Sequence, residues 1–517
     1  MNPFWQMPSA LRETVQSLLQ SLDRRDGPRQ KDDEPDEDAI ALLEDSEREA
    51  PPIQKQPLPP RVEKSTSRKN YIVVIGIAAL FIGLIAIFHS RSASSQGTAA
   101  TEQATFNDLK ETRYNDYFHV LIPGTSDSSA DFCKTIVSGA VLNYPTPWAI
   151  VYDTTNATRT AFSKIERVSA WMNRMPEQND PDLVAVIGNA RSSWFQVRPE
   201  VLIQRYLDIR RKEEHRLDDL FPSTTATRAQ QYPKSRIVFS SEPVCALEDS
   251  SQCLEVPAPD GSVQFLSTDI AIGPLRDLRE LWRQATSVAN QTILANRVVH
   301  EHGVFTGLLR RQTAHRESID HFPSVSAAGN LHFNERNEFG ITLDFHRELS
   351  YAADDKLEGV SWLEPSDERF ALLKLPPDIA DSQPPFWSYN KSLELPLEKN
   401  WSHVSLLTDV RSNVIPAVIH RGPRAAFNLT TSWWAQMWFH PHARKLLDNF
   451  AATPMDPIAL VTGEDGRSRR FWSPIRERVG LKTANGVFHE FDGICGGGED
   501  WREIFLDDLG RWQDPSP

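Results

Sequence analysis

Residues 118–123 read FHVLIP, 148–153 WAIVYD, 183–188 LVAVIG and 236–242 RIVFSSE. These short runs are rich in the β-branched and aromatic side chains that suit a buried, pleated surface. The stretches between them, 132–142, 161–174 and 199–220, are helical in pattern. Pro199 and Glu200 open the third, a proline in the first turn followed by an acid that suits the helix dipole. A further helix begins at Pro274 and continues as LRDLRELWRQATSV, with Leu275, Leu278, Leu281 and Trp282 on one face. Strands alternating with helices predict an α/β domain whose largely parallel sheet is covered on both sides. VQFLSTDIAIG (263–273), GITLDF (340–345) and VIPAVIH (414–420) read as later strands.

Upstream of this domain the chain changes character. Residues 71–88, YIVVIGIAALFIGLIAIF, are apolar or small and carry no charge. At ~1.5 Å per residue such a helix spans ~27 Å, the hydrocarbon thickness of an endoplasmic-reticulum bilayer. A core helix would show polar positions every third or fourth residue, and a cleaved signal would not follow 70 polar residues. The expectation is a transmembrane signal anchor over 71–89. Arg61, Lys64, Arg68 and Lys69 precede it, whereas 89–108 contain only Arg91. That asymmetry predicts a type II orientation, with the N-terminus cytosolic and the rest luminal. Residues 1–70, with an acidic run at 32–49 and a proline-rich run at 51–60, read as a disordered tail with a short amphipathic helix at 8–22. Residues 90–104 read as a stem and 105–517 as the luminal domain.

All five N-x-S/T sequons (Asn156, Asn290, Asn390, Asn400, Asn428) and all four cysteines follow the apolar segment. Cys245 and Cys253 are spaced to close a local loop. Cys133 with Cys495 would then join the two ends of the domain, although sequence alone leaves the pairing open. The 517 residues hold 56 Lys+Arg against 70 Asp+Glu, a net charge of −14, which argues against sequence-independent nucleic-acid binding. There is no CxxC pair, G-x-S-x-G, H-E-x-x-H or Walker motif.

The collinear segments FHVLIPG, LNYPTPW, WFQVRPEVLIQRY, the Cys245/Cys253 segment, AIGPLRDLRELW, NEFGITLDF, VIHRG and SWWAQMWF resemble a fungal family of type II membrane proteins. The luminal domain of that family is related to the glycosyltransferase domain of procollagen-lysine modifying enzymes. The resemblance runs from Phe118 to about Trp512 and implies a GT-A-like, Rossmann-related fold and a Golgi or endoplasmic-reticulum location. It also implies a UDP- or GDP-sugar donor, with a luminal glycan or protein as acceptor. In such enzymes a D-x-D or D-x-x-D motif holds Mn²⁺, because hard divalent cations prefer anionic oxygen ligands.

The resemblance places that motif just before Trp194, where this chain has Asn189 and Ser192 with Arg191 between them. Ser267-Thr268-Asp269 stands in place of an Asn-Ser-Gly turn, and Ala295-Asn296 in place of an Asp-Gln pair. His420, in VIHRG, matches a metal-ligating histidine, and Gly422 a glycine supporting the diphosphate. The implied metal set is therefore Asn189, Ser192 and His420. Asp153, Asn189, Arg191, Ser192, His420 and Gly422 would face the donor, and Asp269 and Asp344 are the candidate catalytic acids. Without a metal, Arg191, His420 and Arg421 would carry the diphosphate charge. Two readings follow: a nucleotide-sugar glycosyltransferase with an atypical metal site, or a pseudoenzyme kept as a luminal binding or scaffolding subunit. A luminal hydrolase is a weaker third. The tryptophans of SWWAQMWF read as core, and His440-Pro441-His442 lacks the spacing of a helical metal pair.

Overall fold

The computed structural model describes residues 116–512, except for 125–129, 157–158, 189–192, 222–233, 246, 248–251, 321–336, 354–358, 368–373, 389, 422–431, 453–456, 464–467, 475–478 and 496–499. The expected tail, anchor and stem, together with Asn428, therefore lie outside the described residues. Among the described residues no helix is long and apolar enough to cross a membrane.

Strands β1 (Asp116–Gly124), β2 (Trp148–Val151), β3 (Leu183–Ile187), β4 (Ser193–Phe195), β5 (Ile237–Glu242), β6 (Val256–Pro257), β7 (Val263–Pro274) and β8 (Ile341–Asp344) come first. They are followed by β9 (Ser350–Ala353), β10 (Val360–Leu363), β11 (Leu406–Asp409), β12 (Val418–Arg421), β13 (Ala459–Thr462), β14 (Ser468–Trp472), β15 (Gly480–Thr483) and β16 (Phe488–Glu490). The central sheet runs β16-β15-β2-β1-β3-β7-β5-β8. It is parallel at β15/β2, β2/β1, β1/β3 and β5/β8, and antiparallel where β7 lies between β3 and β5 and where β16 closes the edge. A mixed α/β sheet, mostly parallel, is thus what the alternating pattern produces.

The main helices are α1 (Ala130–Val141), α2 (Thr160–Arg174), α3 (Pro199–Leu220), α4 (Leu275–Leu294) and α5 (Glu301–Asp320). Strand periodicity sorts the side chains between two cores. Phe118, Val120, Ile122, Leu183, Ala185 and Ile187 point to one face, with the apolar sides of α1 and α3. Leu121, Val184, Val186, Ile237 and Phe239 point to the other, against α2, α4 and α5. The sheet is buried on both sides, which is why its strands read as continuous apolar runs and not as alternating ones. Each fully buried Leu, Ile, Val or Phe contributes ~1.5–3 kcal/mol of transfer free energy. Trp433, Trp434 and Trp438 are buried in the first core, as their spacing suggests.

Helix α3 begins at Pro199 and ends at Leu220, the bounds expected from its sequence. The expected strand 414–420 is shorter: only Val418–Arg421 is extended, and Val414 makes an isolated bridge to Asp409. The chain turns back at Asn413, which adopts φ 55°.

Two disulfides form, Cys133–Cys495 and Cys245–Cys253. The first links positions 362 apart and ties α1 to the C-terminal segment. Loop-closure entropy assigns a crosslink of this length ~6 kcal/mol through its effect on the unfolded chain, of which native disulfides typically realise ~2–5 kcal/mol. The Cys133→Ser/Cys495→Ser double variant is therefore expected to lose ~3–5 kcal/mol in chemical denaturation.

Candidate metal centre

Strands β1, β2, β3, β5 and β8 all point their carboxyl ends toward one edge of the sheet. Open α/β sheets bind ligands at that edge, because the chain leaves the sheet there in loops. Glu242 is the last residue of β5. Asp269 lies across from the end of β3, its carbonyl accepting the Gly188 N–H at 2.7 Å. His420 lies on β12, at the centre of a small sheet β4-β12-β9, opposite Ser193 of β4.

A bulge aims Asp269. Phe239 pairs with Ala271 and Ser241 with Leu266, so the single residue Ser240 faces four residues of β7, Ser267–Ile270. The Ser240 hydroxyl spans the gap by accepting the Ile270 N–H at 3.1 Å. Bulges of this kind redirect a side chain at the cost of ladder hydrogen bonds. Here the bulge turns Asp269 toward Glu242 and His420.

The three side chains converge with ligand atoms within 4.8 Å of one another. His420 Nε2 lies 2.6 Å from Asp269 Oδ2 and 3.7 Å from Glu242 Oε1. The Ser267 hydroxyl contacts the carboxylates of both Asp269 and Glu242. His420 is 2% exposed, and its Nδ1 has no hydrogen-bond partner among the described residues. The Asp269 carboxylate lies against Nε2 as a close ion pair. Burial by itself would pull the imidazole down, but the negative charges of Asp269 and Glu242 outweigh it and raise His420 to about 10. Burial likewise works against the Asp269 carboxylate, and the His420 charge overrides it, holding the carboxyl well below its ordinary value.

A divalent cation fits this donor set: two carboxylates supply charge and hard oxygens, and a buried imidazole nitrogen faces them. His420 is joined by Asp269 and Glu242, while Asn189, Arg191 and Ser192 lie outside the described residues, as does Gly422. Glu242 carried no motif in the sequence. Its only signal was an acid ending a strand run, RIVFSSE, at the sheet edge where ligands bind.

Asp344, the other candidate acid, is not in the cluster. It is fully buried, its Oδ2 accepts the Leu349 N–H at 2.6 Å, and its carbonyl accepts the Ser241 hydroxyl. Burial pushes this carboxyl up to about 6. Asp344 also lines a cavity of about 530 Å³ bounded by α3, α5 and β8, which none of the three cluster residues touches. Asp153 is exposed just beyond β2, where its side chain accepts the Thr155 N–H at 2.8 Å and starts a turn. Asn296 closes α4 in the left-handed region, φ 54°. His440 packs on Trp434 and bonds its carbonyl, so it is committed to the core and not to a metal pair with His442.

The contact between β3 and the bulge is tight. A Cβ on Gly188 would stand 2.0 Å from the Thr268 carbonyl oxygen and 3.1 Å from the Asp269 Cα, both backbone atoms. Gly188→Ala is therefore expected to cost at least ~2–3 kcal/mol in thermal or chemical denaturation, since only backbone movement relieves the clash.

No protein-family model matches this chain, and no curated protein matches it significantly.

Proposed function

We propose that this chain is a metal-dependent nucleotide-sugar glycosyltransferase with a GT-A-like domain, anchored as a type II protein in the Golgi or endoplasmic-reticulum membrane. The observation that carries the reading is the convergence of Glu242, Asp269 and His420 at the carboxyl edge of the sheet. The strand order is consistent with it, since the cluster lies at the carboxyl ends of the parallel strands, where antiparallel β7 adjoins β3. The collinear resemblance described above supplies the reaction class.

In this reading Asp269, His420 and Glu242 hold Mn²⁺, which would neutralise the diphosphate leaving group of a UDP- or GDP-sugar. Asp269 and Glu242 would offset the charge of the ion, and His420 would hold it from the buried side of the site. The Ser267 hydroxyl keeps the two carboxylates side by side. A luminal glycan or protein would be the acceptor.

The alternative is a pseudoenzyme that binds metal or nucleotide and acts as a scaffolding subunit. Asn189 and Ser192, standing where acids are expected, favour it. Titrating the full-length chain in detergent with UDP and GDP, each with and without Mn²⁺, tests the proposal. Metal-dependent nucleotide binding followed by turnover of a UDP- or GDP-sugar supports the enzyme. Binding without turnover across an acceptor panel supports the subunit, and absence of both metal and nucleotide binding overturns the site.

A further inference from the structure

We infer that Lys164, a residue of α2 outside the ligand cluster, is a positioning residue for Asp269. The inference rests on the metal-centre reading above.

Lysines are rarely buried, because taking an ammonium out of water is costly unless it is paired and hydrogen-bonded. Lys164 is 8% exposed. Its Nζ lies 2.5 Å from the carboxylate of Glu301, the first residue of α5, and donates to the Gly188 carbonyl at 2.7 Å. The same glycine donates its N–H to the Asp269 carbonyl. A continuous chain of polar contacts therefore runs from Glu301 through Lys164 and the Gly188 peptide groups to the backbone of the metal-facing aspartate. The residue after Glu301, His302, meets the Thr268 hydroxyl at 3.3 Å, so α5 also touches the bulge directly.

A buried ion pair is weak evidence for stability, since a well-packed apolar pair of the same volume is often as stable or more so. What this pair does supply is geometry. The bulge places three more residues on β7 than β5 can pair, so the β5 side of the ladder does not fix Asp269, which is held from the β3 side by Gly188. The missing Cβ at Gly188 brings β3 against Thr268, and the Lys164 ammonium fixes the carbonyl of that glycine. Side chains and backbone bonds that orient a ligand typically change metal affinity 10–100-fold when lost.

The test uses the full-length chain in detergent, with free Mn²⁺ measured by its electron paramagnetic resonance signal and folding followed by near-ultraviolet circular dichroism. Lys164→Met strands the Glu301 carboxylate and is expected to destabilise. The double variant Lys164→Met/Glu301→Leu removes that stranded charge and is expected to recover thermal stability. Both are expected to bind Mn²⁺ 10–100-fold more weakly than the parent. A merely structural role predicts instead that affinity returns with stability in the double variant. Parental affinity in the double variant therefore overturns the positioning role while leaving the metal centre intact. Failure of the parent chain to bind Mn²⁺ overturns the centre itself.

Discussion

Asp269→Asn is expected to raise the dissociation constant for Mn²⁺ at least ~100-fold, about 2.7 kcal/mol, in a calorimetric titration. The amide keeps the shape and one oxygen but removes the charge, and Asp269 is the carboxylate closest to His420, at 2.6 Å. The variant also changes the resting state of the site. With that charge gone, burial acts against the Glu242 charge alone, and His420 is expected to lose its proton at lower pH than in the parent. Glu242→Gln, whose Oε1 lies 3.7 Å from Nε2, is expected to weaken binding less, about tenfold. An Asp269→Asn protein that binds Mn²⁺ like the parent would remove the aspartate from the ligand set.

The second large effect is on pH dependence. In the metal-free protein His420 is raised from 6.5 to about 10, so it carries a proton at neutral pH. A metal ion takes the lone pair that this proton occupies. Binding therefore releases one proton, and affinity for Mn²⁺ is expected to rise ~tenfold per pH unit between about 7 and 9 and to flatten above about 10. Calorimetry in two buffers of different ionisation enthalpy reads the released proton directly.

Stability without metal runs the other way. The folded value of His420 lies above its unfolded 6.5, so the contribution of its charge is full below about 6.5 and is lost as pH rises toward about 10. Asp269 is depressed from 3.8, so its contribution is present above about 4 and falls away in acid. The metal-free protein is expected to gain most from the pair between about pH 4 and 6.5, with the melting temperature declining on the alkaline side. A melting temperature that rises from pH 6.5 to 9 without metal would contradict the ion pair.

Much of the fold was legible because each core strand carries its own signal. FHVLIP, WAIVYD, LVAVIG and RIVFSSE became β1, β2, β3 and β5 to within a few residues, since a strand buried on both faces needs an uninterrupted apolar run. Helix α3 was legible to the residue because proline fixed its start. Strand β12 was not, since the run VIPAVI before His420 is apolar throughout and the turn at Asn413 that precedes the shortened strand is a tertiary fit. The site was legible in part. Asp269 and His420 were singled out, but Glu242 was not, because a lone acid at the end of a strand has no spacing to mark it.

By itself the sequence determined the elements, the two-sided burial of the sheet, and the residue types at hand for a cation: an imidazole and carboxylates scattered over 179 positions from Glu242 to His420. Only the tertiary structure decided which of them meet. Local sequence encodes periodicity and turn chemistry, which fix each strand and helix. The register of β7 against β5, the bulge at Ser267–Ile270 and the approach of Gly188 to Thr268 depend on long-range pairing, and these bring the three side chains to one point.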